Sequence, residues 1–299
     1  MRAPKTLRLL RMAFLAWQND QMGRRGAALA YYTLFALGPV LLVAVAVAGT
    51  IFGEQAARGE IVSQIENLVG ATGAEVVQTV LANAGPGRGN VLATVVGIAA
   101  FLLAATGAFL ELHAAMNHIW RVQPRTYKGK LGSVKRFALK RLRSFGLVLS
   151  IGFLLIVSLA ASAALNAMSD LIARRVPAGP ELLTAANYAI STAFIMLLFA
   201  AVYRILPDAK LIWGDVLTGA AITALLFTLG KELIGLYLGR SAAVSTYGAA
   251  GSIVLLLAWV YYSAQIVLFG AEFSRVYLRA RHRRPAPSDD AETVPESLG

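Results

Sequence analysis

Apolar residues fall into six long stretches along the chain, separated by short polar connections. Each stretch reaches the roughly 20 residues that an α-helix needs to cross the hydrocarbon core of a bilayer. The pattern therefore predicts an all-α fold, an integral membrane bundle of six transmembrane helices. The predicted spans are 27–52, 91–119, 145–168, 182–205, 214–238 and 247–276.

Segments outside these stretches also have recognisable patterns. Residues 7–17 (LRLLRMAFLAW) are basic, apolar and aromatic, which is typical of an amphipathic helix lying on a membrane surface. Apolar residues at helical spacing within 53–90 predict short external helices. Residues 281–299 are rich in Pro, Ser and acids, so we expect a disordered tail. We expect residues 1–280 to form a single membrane domain.

The overall composition agrees with a membrane protein. Hydrophobic residues make up 57% of the chain, charged residues 15%, and the mean hydropathy is +0.63. A soluble domain is about half apolar and about a quarter charged. The chain contains no cysteine, which excludes disulfides and thiolate chemistry.

The net charge of +12 is distributed unevenly. On the predicted topology, 22 basic residues fall on one side of the membrane and five on the other. Short loops that carry basic residues stay in the cytoplasm, so we expect both termini on the cytoplasmic side of the plasma membrane. This asymmetry accounts for the charge without a nucleic-acid partner. We expect anionic lipid headgroups at the cytoplasmic face instead; the candidate headgroup-binding residues are Lys135, Arg136, Lys140 and Arg141.

Polar residues inside the predicted spans are the candidate functional residues, because ionisable groups in a bilayer usually face a bundle interior or a wet cavity. The predicted inner polar cavity comprises Glu111, His118, Tyr31, Tyr32, Gln265, Glu272 and Arg204. The predicted outer cluster comprises Asn166, Asn187, Lys231 and Glu232. A structural interpretation stands beside this one. Glu272 could pair with Arg275, and Glu111 could form an ion pair with Arg24, Arg25 or Arg204.

Three segments together resemble the YihY/BrkB family, formerly labelled ribonuclease BN-like. They are RRGAALAYYTLFALGPVLL (24–42), ELHAAMNHIW (111–120) and STYGAAGSIVLLLAWVYYSAQIVLFGAEFSRVY (245–277). In the second segment the resemblance lies in Asn117, Ile119 and Trp120. In the third it lies in Tyr247, Gly248, Gly251, Trp259, Tyr262, Gly270 and Glu272. The resemblance implies a six-helix bacterial inner-membrane protein.

Hydrolysis of RNA, which the old family label suggests, has no basis in the residues. A metal-dependent nuclease needs clustered His, Asp or Glu ligands. Here the six aspartates are scattered at turns and in the tail, and no G-x-S-x-G or nucleotide-binding P-loop occurs. We therefore expect no enzymatic activity, no metal site and no cofactor.

Two functions remain open at this stage. The first is transport of a lipid or small amphiphile across or within the inner membrane, without ATP and with Glu111 as a candidate proton or cation site. The second is a structural or scaffolding protein that supports the cell envelope without transport of its own. The composition is compatible with a homo-oligomer. An enzyme acting on lipids inside the membrane is the weakest alternative.

Overall fold

The computed structural model describes residues 5–69, 74, 77–78, 81–82, 106–125, 179–240 and 243–294 of the 299-residue chain. Several predictions fall elsewhere. The span 145–168 and the headgroup-binding residues Lys135, Arg136, Lys140 and Arg141 lie outside the described residues, as does Asn166. For Asn187, Lys231 and Glu232 the structure describes the helical backbone but not the side chain.

The described residues are mostly helical, which confirms the helical fold class. The helices are α1 (Lys5–Asn19), α2 (Met22–Phe52), α3 (Glu54–Val69), α4 (106–119), α5 (Gly179–Ile205), α6 (Trp213–Arg240) and α7 (Ala243–Ala280). Two short strands, β1 (Val122–Pro124) and β2 (Ala291–Thr293), form a small sheet that the sequence pattern did not predict.

Two of the described helices are long and apolar enough to cross a membrane, at Trp213–Gly230 in α6 and Leu256–Ala280 in α7. A shorter apolar segment, Thr192–Ile205, ends α5. α2 and α5 contain the predicted spans 27–52 and 182–205. The apolar runs thus form helices wherever the structure describes them, and the count of six spans stays a prediction.

The chain divides into two compact units. Unit 1 comprises Met1–Asp20, Met116–Leu226 and Phe269–Gly299. Unit 2 comprises Gln21–Ala115 and Phe227–Leu268. Three helices, α4, α6 and α7, contribute residues to both units. The single membrane domain expected over 1–280 is not tested by this division and stays a prediction.

In unit 1, α1 packs one face against α7. Leu9, Ala13 and Ala16 lie at positions i, i+4 and i+7, and so share one side of the helix. They contact Phe273 and Val276 of α7. The predicted amphipathic helix over 7–17 is therefore present, with this face inside the protein. Apolar side chains also occupy its exposed surface, including Leu7, Leu10, Phe14 and Leu15.

α6 and α7 approach each other closely in unit 1 at two glycines. A Cβ atom added to Gly219 would collide with the Ser274 hydroxyl and the Gly270 carbonyl oxygen. A Cβ atom added to Gly270 would collide with the hydroxyl of Thr223. Ser274 and Thr223 turn their hydroxyls back to carbonyls one helical turn earlier, at 3.1 and 2.8 Å. Small residues that allow backbones this close are typical of helix contacts in membranes.

In unit 2, α3 follows α2 after a sharp turn at Gly53, whose φ of 85° suits glycine. Leu41 and Val45 of α2 pack with Val77 and Leu81, both of which are helical. Arg58 of α3 contacts the same layer through the Leu81 carbonyl oxygen at 3.2 Å. α3 confirms a helix within 53–90; its external location stays a prediction.

The C-terminal segment corrects the expectation of a disordered tail. Residues 281–294 are ordered, and β2 pairs antiparallel with β1, with Gln123 opposite Glu292. The segment also contacts the α5–α6 loop, where the Lys210 N–H donates to the Ala286 carbonyl and the Ser288 N–H donates to the Asp208 carbonyl (2.8 and 2.9 Å). Composition predicted disorder because the segment has few apolar residues. Backbone hydrogen bonds order it nonetheless, since they do not depend on side-chain type.

Gly219→Ala should destabilise the protein by about 1–3 kcal/mol, because the added methyl group forces α6 away from α7. Gly214→Ala, near the start of α6, is the matched control because no atom lies within 4 Å of its added Cβ. Thermal unfolding in detergent should show a lower midpoint for the first variant only. Equal midpoints for the two variants would contradict the close approach.

Val294→Pro should loosen the C-terminal segment, because it removes the N–H that donates to the Arg121 carbonyl oxygen at 2.9 Å. Loss of about 1 kcal/mol predicts roughly fivefold faster hydrogen exchange in peptides covering 121–125 and 286–294. Val294→Ala keeps the N–H and should leave exchange unchanged. If both variants exchange like the parent protein, the β1–β2 pairing is absent in solution.

Candidate functional site

The seven residues of the predicted inner cavity divide between the two units. His118, Arg204 and Glu272 belong to unit 1, whereas Tyr31, Tyr32, Glu111 and Gln265 belong to unit 2. That all seven line a single cavity stays a prediction.

The centre of the unit 1 group is a buried ion pair on α7. Arg275 donates from Nε and Nη2 to Oε2 of Glu272, at 2.9 and 2.7 Å. The Glu272 side chain is fully buried, and Arg275 is nearly so. The structural interpretation, in which Glu272 pairs with Arg275, is therefore confirmed. Three residues apart on one helix, the two side chains share a face and neutralise each other's charge.

Asp20, just after α1, joins this pair to the end of α4. Its Oδ2 lies 3.5 Å from Nη2 of Arg275, and its Oδ1 accepts from Nη2 of Arg121 at 2.6 Å. His118 lies beside the same carboxylate, with Nε2 3.7 Å from Oδ1. Two carboxylates and two guanidinium groups therefore meet in one cluster, which we call the Asp20 network: Asp20, His118, Arg121, Glu272 and Arg275.

The electrostatics of the Asp20 network favour the charged form of Asp20. Burial alone would raise the pKa of this carboxyl, but hydrogen bonds with His118, Glu272 and Arg121, together with the charge of Arg121, hold the pKa well below its usual range. Backbone strain occurs at the same place. Arg121 and Gln21, the residue after Asp20, have φ values of 55° and 52°, which few residues other than glycine adopt. Packing and pairing around them must hold this geometry.

Arg204, a predicted cavity residue, instead stabilises the α5–α6 loop. Its Nε donates to the Leu211 carbonyl oxygen at 3.2 Å, and its guanidinium lies 4.6 Å from the centre of the Trp213 ring. In the same loop, Asp208 and Asn117 exchange hydrogen bonds. Asn117 Nδ2 donates to Asp208 Oδ2 at 2.9 Å, and the Asp208 N–H donates to Asn117 Oδ1 at 2.7 Å. This reciprocal pair fixes the loop to the end of α4.

The ordered C-terminal segment adds two further ion pairs to unit 1. Arg283 donates to Asp215, near the start of α6, at 2.5 Å, and the Asp215 side chain is buried. Lys210 pairs with Asp289 at 2.5 Å, although both side chains are exposed. The hydrogen bond and charge of Lys210 lower the pKa of Asp289. Unit 1 thus pairs charges from the ends of α1 and α4, from α6 and α7, and from the C-terminal segment.

Unit 2 contains a different kind of ion pair. Nη1 of Arg25 on α2 lies 3.7 Å from Oε1 of Glu111 on α4, and the two side chains are 29% and 25% exposed. At 3.7 Å the atoms are too far apart for a hydrogen bond. Among the described residues neither side chain has a hydrogen-bond partner. This pair, which we call the Arg25–Glu111 pair, is therefore loose and reachable from outside the protein.

Close packing one turn away brings α2 and α4 together. A Cβ atom added to Gly107 would lie 2.7 Å from Cδ1 of Tyr32, so the tyrosine ring rests directly on the glycine. Gln265 of α7 donates to the Gly23 carbonyl oxygen at 3.3 Å, in the first turn of α2. Tyr32 and the partners of Gln265 and Glu111 thus all lie in the first half of α2.

A row of aromatic side chains continues along the surface of α2. Tyr31, Tyr32 and Phe35 are 57%, 37% and 58% exposed. The Tyr31 ring lies 5.6 Å from that of Tyr32 and 4.9 Å from that of Phe35, centre to centre. Large apolar side chains exposed together mark a surface that meets lipid or another protein.

The part of the chain that the structure describes holds no group of three His, Asp or Glu side chains that could bind a metal ion. The expected absence of a metal, a cofactor and an enzymatic activity stays a prediction.

Comparison with known proteins fits these observations. A family model described as virulence factor BrkB matches residues 13–294. The chain belongs to the BrkB family. A UPF0761 membrane protein of Photobacterium profundum is 31% identical over 276 residues, covering 88% of this chain and 80% of the relative. One from Vibrio vulnificus is 27% identical over 304 residues, covering 99% and 90%. No solved structure matches the chain.

Membership in the BrkB family confirms the resemblance seen in the sequence. The relatives are named membrane proteins, and the structure has apolar helices, so a membrane location is supported as well. Their names state no substrate or reaction. Asn117, one of the residues that carries the resemblance, has a defined structural role here through its two hydrogen bonds with Asp208.

Acid should weaken unit 1 through Asp20. Because the pKa of folded Asp20 lies below the unfolded value of about 3.9, its contribution to stability is complete above that value and is lost as the pH falls through the folded pKa. Thermal unfolding between pH 7 and pH 3 should therefore show a drop that begins near pH 4.

Asp20→Asn tests whether this residue causes the acid effect. The variant should lose about 3 kcal/mol at pH 7, because it removes a carboxylate from the buried guanidinium of Arg275 and the partly buried one of Arg121, and it should show a smaller further loss in acid. Glu54→Gln removes an exposed carboxylate from its pair with Arg58 and should change stability by less than about 1 kcal/mol. Equal acid sensitivity of Asp20→Asn and the parent protein would contradict the lowered pKa.

Proposed function

We propose that this protein moves a lipid or small amphiphile across or within the bacterial inner membrane, without using ATP. The observation that carries this proposal is the Arg25–Glu111 pair, two opposite charges on helices of a membrane protein, partly exposed and separated by 3.7 Å. Glu111 lies within the predicted span 91–119, and charged side chains within membrane segments are costly and commonly mark a pathway for an ion or a substrate.

The geometry of this pair distinguishes it from a structural one. Arg58 and Glu54 on α3 are 2.8 Å apart and joined by two hydrogen bonds, whereas the Arg25–Glu111 pair has none. A charged pair adds stability only when good geometry repays the loss of hydration. The loose Arg25–Glu111 pair therefore contributes little to stability. A polar ligand can replace either partner at a small cost in free energy.

We propose both termini in the cytoplasm, on the strength of the basic asymmetry, so that Arg25 and Glu111 lie toward the inner leaflet. Movement is then downhill or coupled to an ion, with Glu111 as the candidate site for a proton or cation. Lys135, Arg136, Lys140 and Arg141 attract anionic headgroups to this face.

A scaffolding role is the second candidate, and unit 1 supports it. In the Asp20 network, two carboxylates pair with two guanidinium groups, of which Arg275 is buried, and the C-terminal segment pairs with β1 after α4. Such an arrangement favours rigidity and presents a fixed surface to a protein partner. The two candidates differ in what purified protein does in vesicles: a scaffold does not accelerate lipid movement.

The test is lipid movement in reconstituted vesicles that carry a fluorescent phospholipid, quenched from outside. The parent protein should speed exposure of inner-leaflet lipid, and Glu111→Gln should slow it by about tenfold, equivalent to roughly 1.4 kcal/mol in the barrier. Glu54→Gln, which removes the exposed carboxylate of α3, is the matched control and should act like the parent protein.

Two results would overturn the proposal. Movement by Glu111→Gln at the parent rate would exclude a role for the Arg25–Glu111 pair. Parent protein that moves lipid no faster than protein-free vesicles would exclude transport of phospholipids and favour the scaffold.

A further inference from the structure

We infer that the Arg25–Glu111 pair and the aromatic row on α2 form a binding site for a phospholipid whose headgroup carries both a phosphate and an amine. The inference rests on the proposed function, because it names the class of substrate that the transport site would take. It depends on unit 2 alone, where all of the residues involved lie.

The charges at this site match both ends of such a headgroup. Arg24 and Arg25 place two guanidinium groups at the start of α2, and guanidinium is well suited to bind phosphate oxygens. Glu111 lies next to Arg25 and provides a carboxylate for an ammonium group. No hydrogen bond joins Arg25 to Glu111, so the guanidinium can still donate to a ligand and the carboxylate can still accept from one.

The aromatic row provides the apolar half of the site. On an α-helix, residues at i, i+7 and i+11 share one face, which places Arg24, Tyr31 and Phe35 in a line. From the first to the last of them the helix rises about 16 Å at 1.5 Å per residue, a length comparable to an acyl chain. Arg24 is exposed, and so are both rings. The headgroup of one lipid can therefore contact the charged side chains while its acyl chain lies along the aromatic row.

The packing of α2 against α4 gives the site a fixed geometry. Tyr32 rests on Gly107, and Glu111 follows Gly107 by one helical turn on the same side of α4. This glycine contact holds α2 and α4 together beside the Arg25–Glu111 pair. A cation and an anion 3.7 Å apart, with no hydrogen bond between them, suit a ligand that carries both charges.

A purely anionic headgroup fits this site less well. Such a lipid has phosphate for Arg24 and Arg25, but it leaves Glu111 without an ammonium partner and adds a negative charge beside it. The buried Asp20 network of unit 1 is no alternative site, because Glu272 and Arg275 are closed off from solvent and already paired.

The experiment measures lipid binding to delipidated protein in detergent, with phosphatidylethanolamine and phosphatidylglycerol as the two probes. The parent protein should bind phosphatidylethanolamine about tenfold more tightly, the effect of one additional charged hydrogen bond. Glu111→Gln should abolish this preference, because it weakens binding of phosphatidylethanolamine and removes the negative charge that opposes phosphatidylglycerol. Phe35→Ala should weaken both lipids equally, and Glu54→Gln should change neither.

A double variant, Arg25→Gln with Glu111→Gln, guards against misfolding of a protein left with one unpaired charge. It should stay monodisperse, lose the preference and bind both lipids more weakly. Equal affinity of the parent protein for the two lipids, or a preference that survives in Glu111→Gln, would overturn the site.

These outcomes separate the site from the transport proposal. A preference for phosphatidylethanolamine that depends on Glu111, in protein that does not move lipid in vesicles, would keep the site and reject transport. Movement of lipid without that preference would keep transport and reject the site.

Discussion

The guanidinium of Arg275 is buried, and unit 1 is organised around the need to neutralise it. Glu272 does so within the same helix, and Asp20 approaches from the end of α1. Burying a charge is unfavourable unless it is paired and hydrogen-bonded, and removing one partner leaves the other exposed to the full desolvation penalty. The position of α1 on α7 therefore depends on this charge as well as on the apolar contacts of Ala13 with Phe273.

Arg121 extends the same constraint to the C-terminal segment. Its side chain donates to Asp20, while its carbonyl oxygen accepts from the N–H of Val294. β1 begins at the next residue, so the strained backbone at Arg121 is held from two directions at once. A displacement of the tail would act on the conformation of Arg121, and through it on Asp20. Arg121 thus connects the C-terminal segment to the Asp20 network.

Which of these features the sequence could predict depends on how local their causes are. Continuous apolar runs predict α2, α5, α6 and α7, and this signal is local because it does not depend on what packs against each helix. Asp20 and Arg275 are 255 positions apart, and no sequence pattern around either residue predicts their contact. Arg121 is one of the basic residues whose uneven distribution predicts the orientation of the chain. That role accounts for its charge without indicating that Asp20 is its partner. One signal was available: Asp20 is the only acid before Glu54 in a strongly basic region.

Two ion pairs of the same chemistry differ here in their geometry and in their surroundings. Glu272 bonds Arg275 twice in a closed environment, so exchanging either partner means breaking good hydrogen bonds and exposing a buried charge. Glu111 and Arg25 have no such bonds to lose and are already a quarter exposed. A pair of the second kind can change partners without breaking a hydrogen bond between its two members. Sequence reveals which charges lie among apolar residues, but distance and burial decide which of them are free to act.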